Sequence, residues 1–173
     1  MTYRLRPLSA EDCEQIRVWR LDCRESLRTP YMLTRSQQAD FYQEVVSNRR
    51  AEARYFGVHP DGAEGLVGMV GLGPVQVENG LAEISLILDP EERGKGIGEA
   101  AVGLILEEGF DRMRLATIFG ESYECSPALG FWEKVALGYG AELTWLPRRK
   151  FWAGQFWRAL IFTITAEEWR KRR

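Results

Sequence analysis

The sequence predicts an α/β fold of the α+β kind: a mixed, mostly antiparallel central sheet of about seven strands, flanked by about four helices, in the order β-α-α-β-β-β-α-β-α-β-β. Three observations predict it. The apolar run Leu81–Leu88 reads as a buried strand that Asp89-Pro90 ends, since proline cannot donate to a ladder and restricts the residue before it. Asn79-Gly80 just before that run is a hairpin signal, which makes the preceding strand antiparallel to it. After the run, a glycine-rich turn leads into a helical pattern at Ile97, Ala101, Leu104 and Ile105, and such a crossover helix returns the chain to a strand parallel to the one it left.

Taken in order, Tyr3–Leu8 alternates as a first strand would. Ser9 caps a helix and Asp12 fills the acidic position of its capping box; Cys13, Ile16 and Trp19 form its buried stripe as far as about Cys23. The stretch Arg24–Met32 has no clear period and contains Pro30, which predicts an irregular loop. Thr34 begins a second helix through about Arg50, with Phe41, Tyr42, Val45 and Val46 inward. Arg54–Val58 is a short strand, Asp61-Gly62 a turn, and Leu66–Val77 a longer strand loosened by Gly68, Gly71 and Gly73. The crossover helix ends near Gly109, and Arg114–Phe119 is the parallel strand. Ser126–Ala136 reads as a helix with Ser126 as cap and Pro127 at its first position. Tyr139–Trp145 and Phe156–Ile164 close the sheet, joined by a long basic and aromatic loop, Pro147–Gln155. No repeat or linker interrupts the pattern, so residues 1–173 are expected to form one domain.

Composition narrows the function. With 45% hydrophobic and 28% charged residues the chain is of ordinary globular type, and it has no apolar run of the roughly 20 residues needed to span a bilayer. The N-terminal stretch Met1–Arg6 carries no apolar segment of signal-peptide length, so a cytoplasmic location is expected. Three scattered cysteines and a single His59 argue against a disulfide framework, a metal site and any histidine-based triad. The net charge of −2 is uneven: residues 61–144 carry 5 basic and 15 acidic side chains, which argues against a nucleic-acid surface. The basic tail Arg170–Arg173 reads as a solvated helix end.

The glycine-rich turn carries the chemistry. Three glycines in five residues let the backbone approach a ligand with no Cβ in the way, and free N–H groups at a helix N-terminus favour a phosphate. The loop lacks the Lys-Ser/Thr of a nucleoside-triphosphate loop and has the wrong spacing for a dinucleotide fingerprint. It fits Arg-x-x-Gly-x-Gly, filled by Arg93, Gly96 and Gly98. That pattern resembles the acetyl-CoA pyrophosphate loop of the GNAT N-acetyltransferases, and the element order is theirs too; the competing reading is a tight strand-to-helix connection.

Two further stretches resemble GNAT motifs. Ala82–Pro90 resembles the strand that runs beside the pantetheine arm, and Cys125–Lys134 resembles the helix that follows the parallel strand. The first helix, with Arg17-Val18-Trp19-Arg20, and the ending Ala166-Glu167-Glu168-Trp169 resemble the branch that acetylates ribosomal-protein N-termini and amino-sugar nucleotides. The resemblance implies an acetyl-CoA-dependent N-acetyltransferase that moves an acetyl group to a primary amine by direct attack in a ternary complex, with no metal. It implies that Leu86, Ile87 and Leu88, the loop Arg93, Gly94, Lys95, Gly96, Ile97, Gly98 and Glu99, and also Cys125 and Trp132, line the coenzyme A site. Trp132 stands where the family often has a tyrosine hydroxyl near the coenzyme A sulfur, and its indole has no titratable proton to give; Cys125 stands where asparagine is common, and is either a reactive thiol or a small packed residue.

Alternation puts Glu83 and Ser85 on the face of the central strand opposite Ala82, Ile84, Leu86 and Leu88. Glu83 is therefore the first candidate general base, against a bland reading as a salt-bridged carboxylate. Glu121 and Glu124, expected just after the parallel strand, are second candidates, and Tyr123 is a candidate to orient a water or replace the missing hydroxyl. A backbone N–H of Ile87 or Leu88 would meet the oxyanion. The acidic middle suits a cationic acceptor, an amine-bearing small molecule or a protein N-terminus. The loop with Arg24, Arg28 and Tyr31 would grip it, with Arg20, Arg24 and Arg28 able to bind a carboxylate or phosphate. The aromatic loop Pro147–Gln155 would cover the acceptor site or make a homodimer interface. The rival functions are an acyl-CoA-binding sensor or structural module without turnover, and an unrelated nucleotide-binding α/β domain, which the antiparallel strands disfavour.

Overall fold

The computed structural model describes residues 2–172; Met1 and Arg173, the last residue of the expected basic tail, lie outside the described residues. The strands are β1 (Tyr3–Pro7), β2 (Arg54–Pro60), β3 (Gly68–Gln76), β4 (Leu81–Leu88), β5 (Thr117–Tyr123), β6 (Glu142–Trp152) and β7 (Gln155–Thr165). They pair in one sheet in the order β1-β2-β3-β4-β5-β7-β6. Every neighbouring pair is antiparallel except β4–β5. The helices are α1 (Ala10–Trp19), α2 (Arg35–Phe41), α3 (Ile97–Glu107), α4 (Leu129–Gly138) and α5 (Ala166–Lys171). Among the described residues no helix is long and apolar enough to cross a membrane.

The two faces of the sheet bury two cores. Val70, Leu72, Ala82, Ile84 and Ile118 pack against Ile97, Ala101, Ile105 and Phe110 of the α3 region, Val135 of α4 and Trp169 of α5. On the opposite face Met69 and Ile87 meet Cys13, Ile16 and Trp19 of α1. Cys13 belongs to this core, and its thiol is pushed up to about 11, by desolvation first and then by the nearby Asp12. Ser9 and Asp12 form the expected capping box, with Asp12 N–H donating to Ser9 Oγ at 3.1 Å, and Thr34 caps α2 in the same way with Gln37.

Five of the boundaries that differ from expectation have a local reason. Helix α1 continues as a 3-10 segment, Arg20–Ser26, so part of the expected loop is ordered helix. The second helix widens into a π turn over Tyr42–Val46 and ends there rather than at Arg50, where the Asn48 amide donates to the Glu44 carbonyl. The parallel strand starts later, at Thr117 rather than Arg114, because Arg114 sits at φ 59° in a turn; Glu121 and Tyr123 therefore lie on the strand and not beyond it. Helix α4 starts at Leu129 with Ala128 as its cap, since Ser126 accepts from Ala128 N–H and shares a 2.6 Å hydrogen bond with Ser26. The long loop Pro147–Gln155 does not exist: β6 and β7 run to the two-residue turn Ala153-Gly154, both at positive φ.

The feature that positions the site is a short ladder. Strands β4 and β5 pair only at Leu81–Thr117, Ala82–Ile118 and Glu83–Phe119. Beyond that point β4 stays paired with β3 and β5 with β7, and the two central strands part. Gly120 sits at the start of the parting. A Cβ there would lie 2.1 Å from the Phe162 ring, on which Trp132 stacks at 5.1 Å and 22°. Gly120→Ala forces that stack apart and is expected to lower stability by about 1–3 kcal/mol, measured as a lower midpoint in urea unfolding.

Candidate active site

The glycine loop between β4 and α3 is open where a ligand would need it. Gly94 and Gly96 adopt φ of 78° and 81°, and a Cβ built at either meets nothing within 4 Å. Gly96 is the N-cap of α3 and offers no side-chain cap, so the first N–H groups of α3 face outward unclaimed by one. Arg93 and Lys95 are exposed beside them, Lys95 paired with Glu92 at 3.0 Å. A cradle of backbone N–H groups with two flanking cations fits a pyrophosphate. Gly98 does something else: a Cβ there would lie 2.9 Å from the Phe131 ring, so this glycine lets α3 and α4 approach. Ile97 is buried in the core and Glu99 pairs with Lys134 across the same two helices.

Leu86, Ile87 and Leu88 lie on the part of β4 that no longer pairs with β5. Ile87 is buried against α1, while Leu86 and Leu88 pack on the α3 side. Trp132 is held edge-on by Phe131 and flat on Phe162, and Cys125 points its thiol at the Glu25 carbonyl, 3.8 Å away. Burial raises the Cys125 thiol, which outweighs the lowering by nearby Lys150, and this runs against the reactive-thiol reading.

On the α1 face, where the strands part, three of the expected residues come together around Arg28. Its Nη2 donates to Glu83 Oε1 on β4 and, at 3.0 Å, to Glu121 Oε2 on β5. The Glu121 side chain is only 3% exposed and that of Glu83 13%, whereas Arg28 is 56% exposed. Burial disfavours the Arg28 charge, yet its hydrogen bonds and proximity to Glu83 and Glu121 raise its pKa above the ordinary guanidinium value. The Tyr123 phenol donates to Glu121 Oε2 at 3.4 Å and is raised by burial and then by the Glu121 charge, so it keeps its proton. Glu124 lies apart, paired with Arg158. Arg24 donates to the Pro30 carbonyl at 2.7 Å and sits over Trp152; Tyr31 is exposed. Arg20 is largely desolvated, which lowers its pKa.

Two residues escaped sequence reasoning. Arg149 Nε donates to Glu121 Oε1 at 3.0 Å, and Lys150, 5% exposed, reaches the carbonyls of Leu27 and Arg24 while lying over the rings of Tyr123 and Trp152. Burial lowers the Lys150 pKa. The basic, aromatic composition of Pro147–Gln155 was the available signal. What hid their roles is a bulge: three residues of β6, 147–149, lie opposite the single Arg158 of β7.

A family model described as Acetyltransferase (GNAT) domain matches residues 3–128 of the chain. No curated protein matches it. The fold is similar to solved structures of the spermidine/spermine N-acetyltransferase SpeG from Vibrio cholerae. A mutant form has 20% identity over 99% of this chain and 98% of that one, with a TM-score of 0.85. A complex with CoA and spermine has 21% identity over 98% of each chain and the same TM-score. A complex with manganese ions has 22% identity over 99% and 96%, with a TM-score of 0.80. Among the described residues no cluster of three or more His, Cys, Asp or Glu side chains could hold a metal ion.

Lys150→Met leaves the Arg24 and Leu27 carbonyls without their cation and is expected to destabilise the protein by about 1–3 kcal/mol. Hydrogen exchange should show faster exchange over residues 24–33 than in the wild type, with the sheet core unchanged.

Proposed function

The chain belongs to the GNAT acetyltransferase family, transferring acetyl from acetyl-CoA to an amine, and on that premise we propose how its residues carry the reaction. The observation that carries the reading is the conjunction, at the parting of β4 and β5, of an open helix N-terminus at Gly96 with two buried carboxylates, Glu83 and Glu121. The backbone of Gly94–Glu99, with Arg93 and Lys95, would hold the pyrophosphate, and the free edge of Leu86–Leu88 the pantetheine arm. When bound, acetyl-CoA supplies the activated acetyl group. An ammonium becomes a nucleophile only after losing a proton, and Glu83, directly or through a water, is placed to accept it. Backbone N–H groups at Ile87 or Leu88 would stabilise charge on the carbonyl oxygen. Tyr123 keeps a proton and can donate a hydrogen bond toward the leaving thiolate, a role Trp132, stacked on Phe162, does not offer. The attack is direct, in a ternary complex.

The acceptor is an amine-bearing small molecule or a protein N-terminus. The structural neighbours named above act on spermidine and spermine, so a polyamine belongs in the first panel beside peptides and amino-sugar nucleotides. We read residues 1–173 as one acyltransferase domain, working in the cytoplasm, where the three scattered thiols Cys13, Cys23 and Cys125 would stay reduced. A homodimer could form through the late strands, where Phe151 and Phe156 are exposed. A second reading, an acyl-CoA-binding sensor without turnover, draws on Trp132 in place of a hydroxyl.

Calorimetric titration with acetyl-CoA, dephospho-CoA and ATP, followed by free-thiol release over the amine panel, separates these. Acetyl-CoA binding with thiol release supports the enzyme; tight binding with no release across the panel favours the sensor. Gly96→Glu, which places a carboxylate in the pyrophosphate cradle, is expected to abolish acetyl-CoA binding while leaving the melting temperature within a few degrees. Glu83→Gln is expected to lower turnover about 10²-fold or more at neutral pH and less at pH 9, where more of the amine is already neutral. An equal loss at both pH values removes Glu83 as the base.

A further inference from the structure

Arg28 sits where an acceptor would have to go. Its guanidinium bridges Glu83 and Glu121 at the point where β4 and β5 separate, on the face of the sheet that α1 covers. Both carboxylates are nearly buried and the cation between them is not. A largely buried carboxylate pair is costly without a cation, so the place between Glu83 and Glu121 favours a positive group. An ammonium satisfies the same requirement, with three N–H donors and one charge.

The segment that brings Arg28 there is attached in a way that allows exchange. Residues 28–33 contain no helix or strand. Side chains hold the segment to its surroundings: Arg24 Nε to the Pro30 carbonyl at 2.7 Å, Arg17 Nη1 to the Leu33 carbonyl at 3.1 Å, and Lys150 to the Leu27 carbonyl at its start. Lys150 therefore fixes where the segment begins, while Arg28, one residue on, can swing outward at the end of a long side chain.

We propose that Arg28 is a specificity-determining residue, an exchangeable counter-ion that holds the acceptor's place between Glu83 and Glu121 and leaves as the acceptor's ammonium enters. The inference rests on the acetyltransferase reading for the identity of the incoming cation. It has a consequence for acceptor class. Arg28 shares Glu121 with Arg149, which donates to the other carboxylate oxygen at 3.0 Å, and a displaced Arg28 stays tethered at the mouth of the site. Two guanidiniums at the mouth of the site repel a second positive charge on the acceptor and attract a negative one. Acceptors that carry an anionic group a few bonds from the amine are favoured over diamines of the same length.

The test compares 4-aminobutanoate with 1,4-diaminobutane, which differ in the sign of the charge at the far end. Calorimetry on the CoA-loaded protein gives Kd for each, with no need for turnover. Wild type is expected to bind the aminobutanoate at least tenfold more tightly than the diamine. Arg28→Ala is expected to tighten the diamine at least tenfold and to shrink the preference to threefold or less, whereas Arg28→Lys, which keeps a competing cation, should tighten the diamine no more than threefold. With a substrate that turns over, the Arg28→Ala change should appear in KM and not in kcat. The proposal is overturned if Arg28→Ala weakens the diamine or leaves its Kd unchanged, or if wild type shows no preference. Acetyl-CoA affinity, measured separately, should be the same in wild type and Arg28→Ala; its absence in wild type would remove the acetyltransferase reading, and the diamine titrations repeated without CoA would then decide the cation exchange alone.

Discussion

The structure turns on one interrupted ladder. Parallel pairing between β4 and β5 lasts for three residue pairs and stops at Glu83–Phe119. An unpaired strand backbone inside a protein must find other partners, so the parting makes a place for an extended ligand with alternating donors and acceptors. It also brings side chains from two strands to face each other across a gap that ordinary sheet spacing would close. The outer edges of both strands remain paired, with β3 on one flank and β7 on the other, and Phe162, fitted against Gly120 and stacked on Trp132, packs beside the point where they part. The parting is therefore built into the packing of the sheet.

Electrostatics then divides the site into two halves. On the α3 side the protein presents backbone N–H groups flanked by Arg93 and Lys95. On the α1 side it presents buried carboxylates whose charge is balanced by arginines from two separate segments, the loop after α1 and the bulge of β6. In the reaction proposed above, the first half meets the coenzyme and the second the amine to be deprotonated. Lys150 joins the second half together: one desolvated ammonium terminates the 3-10 segment, and its position over Tyr123 and Trp152 fastens that segment to the hairpin.

Much of the donor half was legible because it is written in local signals. Asn79-Gly80, Asp89-Pro90 and the glycine spacing act within a few residues, and the alternation of β4 sorts Glu83 from its apolar neighbours without any knowledge of the fold. The acceptor half depends on contacts between residues about 30 to 125 positions apart, which no local pattern carries. Arg28 could be picked out as a cation near the site, but its partners could not. Arg149 and Lys150 were hidden because the turn at Ala153-Gly154 uses an alanine at positive φ in place of the expected Asn or Asp, and because Pro147 and the bulge break the period of β6. Trp132 and Cys125 illustrate the converse case. Their positions drew attention through resemblance, and the structure adds what the sequence does not carry: the Phe131 and Phe162 rings around Trp132 and the Glu25 carbonyl beside the Cys125 thiol.

The bulge in β6 bears on more than the acceptor. β6 is the outer strand of the sheet, and an exposed edge of eleven residues is a template for unwanted strand pairing between molecules. Pro147 removes one donor from that edge, and Arg148, at φ 53°, turns the backbone out of line. The edge is thus divided into two shorter pieces, a less continuous template for strand pairing. The same insertion delivers Arg149 to Glu121, so a variant that straightened β6 would lose that contact and lengthen the open edge together.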